Sequence, residues 1–177
     1  MEPLPIIYTV GHSTRPLAGF LALLKLHKIE TLVDIRRYPG SRRNPQFSSQ
    51  VLASSLAEIG IVYTQLPGLG GRRMPLSSSA DSVWKNAAFR GYADHMSTPE
   101  FEEALSGLLE LAGHSRVALM CAEAVPWRCH RTLVADAVIA RGREVQHIIS
   151  ETDVRRHNLT SFARIDHGRV TYARIAP

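Results

Sequence analysis

The chain has 177 residues, of which 45% are hydrophobic and 21% charged, and it contains two cysteines. This composition is that of an ordinary globular domain and excludes disordered and fibrous proteins, while two cysteines are too few for a secreted disulfide scaffold. The sequence has neither an apolar run of about 18 residues, the length that crosses a membrane, nor a secretory leader. We therefore expect one cytoplasmic domain over residues 1–177 with no membrane partner.

The net charge is +5 and the isoelectric point about 9.6. Arginines carry this charge, because the chain has only three lysines, Lys25, Lys28 and Lys85. A planar guanidinium suits bidentate recognition of phosphate or carboxylate, so the excess of arginine favours an anionic partner. The alternative is that arginine supplies nothing more than solvated surface charge.

Strand and helix patterns alternate along the chain. The first strand is predicted at residues 6–10, and the helix after it begins at Pro16, with Ser13 or Thr14 as its cap. Further strands are predicted at residues 31–35, 61–66, 117–120 and 144–149, and further helices at residues 48–59, 87–96, 98–113 and 129–142. Thr98 marks a helix start and Gly142 a left-handed helix end. A helical or irregular segment at residues 152–159 and a hairpin at residues 162–174 are expected to follow.

This alternation predicts an α/β domain with a mostly parallel sheet of about five strands, helices on both faces, and a C-terminal hairpin or irregular extension. Parallel strands end at one edge of the sheet, where ligands usually bind. Ser13, Asp34, Leu66 and Cys121 lie at or just after the ends of predicted strands, so we expect them to share that edge.

The loop at residues 121–131 carries a thiol at each end, Cys121 and Cys129. A thiolate that faces loop N–H groups and a helix N-terminus should have a depressed pKa, so either cysteine is a candidate nucleophile. The alternative for Cys121 is a small buried residue that completes a core strand. The same layout of strand, cysteine, loop and helix resembles rhodaneses and cysteine phosphatases. Six residues separate Cys121 from Arg128, however, where phosphatases of that design have five, so phosphatase activity is not implied.

Several side chains near these thiols are candidates for proton transfer. Glu123 is a general base, a partner that fixes Arg131, or a solvated acid. His130 stands at a helix start, where a cation is disfavoured, so we expect a neutral acceptor or a metal ligand. His12 is either a site base or a cap on the strand end, and Asp34 either joins the catalytic group or pairs locally with an arginine. The residues expected to bind the anion are Ser13, Arg36, Ser41, Arg42, Tyr92 and Arg131.

No cofactor is predicted. A zinc site built from Cys121, Cys129 and His130, with Glu123 or His12, has acceptable ligand types, but the spacing of the cysteines matches no common structural zinc motif. A metal-binding protein that uses Cys121, Cys129 and His130 therefore stays open as an alternative.

Two long loops favour contact with phosphates. The Arg-rich loop at residues 36–43 has Tyr38 within it and Phe47 close behind, a pattern that suits nucleic-acid phosphates and base stacking. Residues 67–73 form a glycine turn, which lacks the Lys-Ser/Thr pair of a Walker loop, and we expect it to act as a mobile lid leading into the polar stretch 77–81.

Five motifs together resemble one family. They are YTVGHS at residues 8–13, DIRRYPGSRRNPQF at 34–47, LPGLGG at 66–71, FRGYADHM at 89–96 and MCAEAVPWRCHRTLVAD at 120–136. In this order they are similar to the domain-of-unknown-function 488 family of bacterial proteins, over about residues 7–149. The resemblance implies a small α/β domain, with residues 150–177 as an extension, and it implies little about chemistry.

The leading hypothesis is a domain with a thiol-containing, anion-binding pocket at the carboxyl edge of the sheet, acting by thiol-dependent transfer or hydrolysis on a phosphate- or sulfur-bearing substrate. Cys121 or Cys129 is the reactive thiol, arginines hold the anion, and His12, Glu123 and His130 handle protons. The alternative is a noncatalytic nucleic-acid-binding module that uses the Arg-rich loop at residues 36–43.

Overall fold

The computed structural model describes residues 4–40, 42–76 and 83–172. The strands are β1 Ile7–Gly11, β2 Thr31–Asp34, β3 Val62–Gln65, β4 Val117–Cys121, β5 Val145–Ile148, β6 Val154–Arg156, β7 Arg164–Asp166 and β8 Arg169–Thr171. The helices are α1 Leu17–Leu26, α2 Ser49–Glu58, α3 Ala87–His95, α4 Pro99–His114 and α5 Arg131–Ala140. The predicted α/β class is confirmed. None of the helices in these ranges is long and apolar enough to cross a membrane.

The central sheet has six strands in the order β3-β2-β4-β1-β5-β6. The first five are parallel, as predicted, and β6 runs antiparallel to β5. The helical or irregular segment expected at residues 152–159 is therefore wrong in part. All three residues of β6 are exposed at the sheet edge, so their sequence carries no apolar pattern from which a strand could be recognised.

The C-terminal hairpin is confirmed as the two-stranded sheet β7-β8. Its turn contains His167 and Gly168, both with positive φ. The predicted left-handed helix end at Gly142 is confirmed, with φ +77°, and so is the Thr98 cap, whose side chain accepts a hydrogen bond from Phe101 N. The cap predicted for α1 is wrong: no side chain caps α1, which begins after Pro16.

Alternating side chains divide the core into two layers. Ala118 and Met120 of β4 face the layer made with α1 and α2, where Phe20, Leu24, Leu52 and Leu56 are buried. Val117, Leu119 and Cys121 face the opposite layer, made with α3, α4 and α5. Successive side chains of a strand point to opposite faces, so the strand period itself turns Cys121 toward the start of α5.

The ends of three neighbouring strands lie level with one another. Gly11 pairs with Cys121, and Asp34 pairs with Met120. The chain after β4 then crosses closely over the end of β1: a Cβ on Gly11 would lie 1.8 Å from the carbonyl oxygen of Glu123. Backbone hydrogen bonds from His12 N to Cys121 O and from Ser13 N to Ala122 O, each 3.0 Å, fix that crossing.

A buried polar chain attaches the C-terminal extension to the core. Thr9 Oγ1 lies 2.6 Å from His147 Nδ1, His147 Nε2 lies 3.0 Å from His157 Nδ1, and His157 Nε2 lies 2.8 Å from Asp136 Oδ1. The Tyr172 hydroxyl donates to the second carboxylate oxygen of Asp136 at 2.7 Å. One set of tautomers satisfies every bond: each group donates to the next, and the carboxylate of Asp136 accepts last.

Candidate functional site

A cleft of about 850 Å³ opens at the carboxyl edge of the sheet. Its walls are the segments that follow β1, β2 and β4, together with residues from the glycine turn and the start of α3. Among the described residues, Glu123 is the only carboxylate that lines it. Six arginines line it: Arg36, Arg37, Arg42, Arg43, Arg72 and Arg128. We call this space the arginine cleft. Its excess of guanidinium groups makes it electropositive, which favours an anionic ligand.

Both cysteines line the arginine cleft and lie side by side. The Sγ atoms of Cys121 and Cys129 are 2.8 Å apart, and both residues are free thiols. Cys121 ends β4, while Cys129 follows the 3-10 turn Pro126–Arg128 and precedes α5. Cys121 is 2% exposed and Cys129 5% exposed, so Cys129 is the more accessible of the two.

The two thiols differ in acidity. Burial raises the pKa of Cys121, and the adjacent Cys129 sulfur raises it further. Burial acts in the same direction on Cys129, but the hydrogen bond from Cys121 and the charges of His130 and Arg131 outweigh it and hold the pKa of Cys129 well below the ordinary value. These opposite shifts favour Cys121 as the donor and Cys129 as the acceptor of the hydrogen bond between the two sulfurs. The depressed pKa expected for Cys121 is not found.

His130 bridges Cys129 and the end of β2. Its Nε2 lies 3.1 Å from the carbonyl oxygen of Ile35, which can only accept, so Nε2 carries a proton. Its Nδ1 lies 3.4 Å from Cys129 Sγ. In the neutral ring Nδ1 accepts from the thiol, and in the charged ring it donates to the thiolate. His130 is thus placed to exchange a proton with Cys129.

Arg131 lies beneath the arginine cleft rather than in it. Its side chain is fully buried, and Nη2 donates to the carbonyl oxygen of Glu123 at 2.6 Å. Nε and Nη1 have no hydrogen-bond partner among the described residues, and no carboxylate there pairs with the guanidinium. A buried cation without a counter-ion is costly, and the positive charge of Arg131 contributes to lowering the pKa of the nearby Cys129 thiol. The direct anion contact predicted for Arg131 is therefore not what this geometry offers.

Asp34 is also buried and does not reach the arginine cleft. It accepts from Arg36 Nη2 at 2.6 Å and from Nε at 2.9 Å, and the Tyr63 hydroxyl donates to it at 2.7 Å. Burial acts to lower the pKa of Arg36, but the hydrogen bonds and charge of Asp34 outweigh it and raise that pKa, while burial and Asp34 raise the pKa of Tyr63 to about 12. The local ion pair is thus the arrangement found, and Asp34 serves to hold Arg36 at the cleft wall.

His12 follows β1 and is held from two sides. Its Nδ1 lies 2.8 Å from the carbonyl oxygen of Ser13, so Nδ1 carries the proton. Its Nε2 accepts from Arg36 Nη1 at 3.3 Å, and the ring stacks on Phe47 with centroids 4.3 Å apart. Burial lowers the pKa of His12 and keeps the ring neutral. This geometry matches a cap on the strand end better than a free base.

The remaining predicted residues are placed as follows. Ser13 and Arg42 line the arginine cleft, and so does the exposed Glu123, whose backbone carbonyl rather than its carboxylate fixes Arg131. Tyr92 contributes a wall, but its hydroxyl already donates to Leu69 O at 2.6 Å. Ser41 lies outside the described residues.

The glycine turn, predicted to be a mobile lid, is hydrogen-bonded to α3 and packed against His130. His95 Nε2 lies 2.6 Å from Gly68 O, the Tyr92 hydroxyl holds Leu69 O, and a Cβ on Gly71 would lie 2.7 Å from Nδ1 of His130. The buried glycines therefore allow close approach to the site histidine. The polar stretch 77–81 lies outside the described residues.

The cleft is also lined by residues outside the set predicted to react or to bind the anion. Arg37, Tyr38 and Arg43 belong to the Arg-rich loop and Arg72 to the glycine turn, the two loops predicted to contact phosphates. Arg128, Asn86 and Phe89 were not predicted, and the sequence signal for Arg128 is an arginine in the loop after a predicted strand. Asn86 and Phe89 carried no such signal, because α3 reaches the cleft through tertiary packing alone.

A metal site has no ready set of ligands. Among the described residues, no group of three or more histidine, cysteine or acidic side chains is arranged to hold a metal ion. Cys121, Cys129 and His130 are the nearest approach to one, but Nε2 of His130 is directed to Ile35 O and Nδ1 is 3.4 Å from a sulfur.

Comparison with known proteins identifies the family. A family model described as Domain of unknown function DUF488 matches residues 16–138, well over half of the chain. No curated protein and no solved structure matches the chain. The matched span runs from the start of α1 into α5 and so includes β2, both cysteines, His130 and Arg131. The chain therefore belongs to the DUF488 family.

Proposed function

We propose that this protein is a cysteine-dependent enzyme that binds an anionic substrate in the arginine cleft and attacks it with the Cys129 thiolate. The observation that carries the proposal is the position of the Cys129 thiol in the wall of an electropositive cleft, beside a second thiol and a histidine. Cys129 lies 2.8 Å from Cys121 and 3.4 Å from His130, at the wall that six arginines share. A thiolate is the nucleophilic form of cysteine, and its stabilisation at neutral pH is what such chemistry needs.

Each neighbouring group has a role in this proposal. His130 transfers a proton to or from Cys129, and Arg131 stabilises the thiolate charge from below. Arg36, held by Asp34 and His12, presents its guanidinium to the anionic part of the substrate together with Arg42 and the exposed arginines. A guanidinium group held in place by buried partners loses little conformational freedom when it binds an anion. It therefore favours binding of one anion in a defined position over non-specific electrostatic attraction.

The test compares two alkylating reagents, neutral iodoacetamide and anionic iodoacetate, with the labelled cysteine located by peptide mapping. We expect Cys129 to react in the native protein below neutral pH, and C129S to abolish that reaction. The ratio of the iodoacetate rate to the iodoacetamide rate should be higher at Cys129 than for free cysteine. This ratio should decrease with added salt and in R42Q/R43Q. Labelling that requires alkaline pH or denaturation would refute the nucleophile.

A second candidate is a noncatalytic nucleic-acid-binding module. It is favoured by the exposed arginines at the cleft rim and by Tyr38, which is 60% exposed and lies under the Arg37 guanidinium at 5.4 Å. Several phosphate contacts would give an affinity that falls steeply with salt. Fluorescence anisotropy with labelled single- and double-stranded oligonucleotides at low salt tests this, and no binding there ends the alternative.

A further inference from the structure

The second thiol has no task in a reaction that needs a single nucleophile. A lone thiolate suffices for acyl or phosphoryl transfer, whereas a second sulfur 2.8 Å away would intercept any sulfur-linked adduct on the first. A disulfide bond is about 2.05 Å long, so the two sulfurs need to move together by less than about 1 Å to bond. This spacing therefore points to chemistry in which both sulfurs take part.

We propose that Cys129 and Cys121 act as an attacking and a resolving thiol that reduce a disulfide carried by an anionic molecule. The inference rests on the proposed nucleophile role of Cys129 and names the substrate class for it. In the first step the Cys129 thiolate attacks one sulfur of the substrate, forms a mixed disulfide, and expels the other sulfur as a thiolate. In the second step Cys121 loses its proton, attacks Cys129 Sγ, and expels the remaining half of the substrate as a thiolate.

The atoms and electrons balance in this sequence. The substrate disulfide gains two electrons and becomes two thiolates, while the protein pair loses them and becomes the Cys121–Cys129 disulfide, and the proton of Cys121 passes to one of the leaving thiolates or to His130. A dithiol reductant of low molecular weight or a partner protein with a reactive dithiol then restores the reduced pair. His130, within 3.4 Å of Cys129, can take up or supply the proton that moves between the sulfurs.

The order of attack follows from burial and charge. Cys129 is more exposed than Cys121, adjoins His130, and receives the backbone N–H of Arg131 at 3.5 Å. Cys121 is deeper and lies at the end of the central strand β4. An incoming disulfide therefore meets Cys129 first, and Cys121 acts only after an adduct has formed.

Arg131 makes the reduced pair the favoured form. Its guanidinium is fully buried, with two N–H-bearing nitrogens unpartnered among the described residues, and its positive charge stabilises the negative charge of the Cys129 thiolate. Disulfide formation removes that negative charge and leaves the guanidinium with the carbonyl oxygen of Glu123 alone. A disulfide of this kind is readily reduced, which is the property of catalytic rather than structural disulfides. Arg131 is thus a positioning residue that sets the redox equilibrium.

The probe is 5,5′-dithiobis(2-nitrobenzoate), an anionic aromatic disulfide whose thiolate product absorbs visible light. The fully reduced protein should release a first and then a second thionitrobenzoate per chain and finish as an intramolecular disulfide with no adduct by mass spectrometry. C121S should release only the first and retain an adduct on Cys129, and C129S should react far more slowly. A stable adduct on the wild type, or equal behaviour of wild type and C121S, would overturn the resolving role. Low-pH alkylation of Cys129 would then still stand, so the two proposals fail separately.

Arg131 is tested through the redox equilibrium. R131M keeps much of the side-chain volume but removes the charge. In mixtures of reduced and oxidised glutathione, the equilibrium constant should shift toward the protein disulfide by about tenfold. That shift is about 30 mV for a two-electron couple. R128Q removes an exposed cleft arginine and is the matched control, with no such shift expected. An unchanged equilibrium in folded R131M, checked by circular dichroism, would overturn the role of Arg131.

Discussion

His147 gives a quantitative prediction about acid stability. Its ring is 5% exposed, and burial together with the charges of His157 and Arg131 lowers its pKa to about 3 from 6.5, against an opposing contribution from Asp136. Because the folded-state pKa is the lower one, the unfolded chain binds the extra proton. The stability linked to this group is therefore complete above about pH 6.5 and is lost progressively as the pH falls toward 3.

The magnitude follows from the same two values. Between pH 8 and pH 5, protonation of the unfolded state alone costs about 2 kcal/mol of unfolding free energy, since each pKa unit is worth about 1.4 kcal/mol. Burial also lowers the pKa of His12 and His95, so the wild type should lose more than this. H147Q removes only the contribution of His147, and the difference between the two proteins isolates it.

The assay is urea unfolding followed by far-ultraviolet circular dichroism at pH 8 and at pH 5. H147Q should be less stable than the wild type at pH 8, because Thr9 and His157 lose a matched partner, but it should lose about 2 kcal/mol less on acidification. H167Q, which alters an exposed ring in the β7-β8 turn, is the control and should follow the wild type. Equal acid losses in wild type and H147Q would refute the reasoning.

The remaining predictions concern the strand ends. D34N leaves Arg36 buried without its counter-ion and should lower the unfolding free energy by about 3 kcal/mol in the same urea titration. Y63F removes one hydrogen bond to Asp34 and should lower the unfolding free energy by only about 1 kcal/mol. G11A forces a methyl group against Glu123 O and should both destabilise the protein and slow Cys129 alkylation, while G19A, with open space around its Cβ in α1, should be neutral or stabilising by up to about 1 kcal/mol. If G11A is as stable and as reactive as G19A, the close crossing over β1 is not essential.

Much of the fold was predictable, because it rests on patterns local to the sequence. Apolar runs locate β1 to β5, and parallel alternation alone brings the segments after β1, β2 and β4 to one edge. The edge strand β6 could not be predicted, since its three residues are exposed and receive their structure from β5. The contacts that hold the glycine turn could not be predicted for a similar reason. They are hydrogen bonds with His95 and Tyr92, which lie far along the chain.

The sequence predicted which residues form the candidate site but not how their side chains are arranged. The sequence indicates that both cysteines, His130 and Arg131 follow strand β4, but spacing does not tell which thiol is acidic. That difference arises from the contact between the two sulfurs and from an arginine that points inward, both of which are tertiary features. Asp34 was expected either to join the catalytic group or to pair locally with an arginine, and the structure shows the ion pair with Arg36, buried beside Tyr63 of β3.

The position of β4 has a consequence for biosynthesis. This strand lies between β1 and β2, although it follows both of them by more than eighty residues in the chain. A growing polypeptide therefore carries two early strands that are not neighbours in the final sheet and that both lack their common partner until β4 is made, so their exposed backbone edges must stay apart meanwhile. Cys121 ends β4 and Cys129 follows it, so a nascent or truncated chain that stops before this strand lacks the pair of thiols.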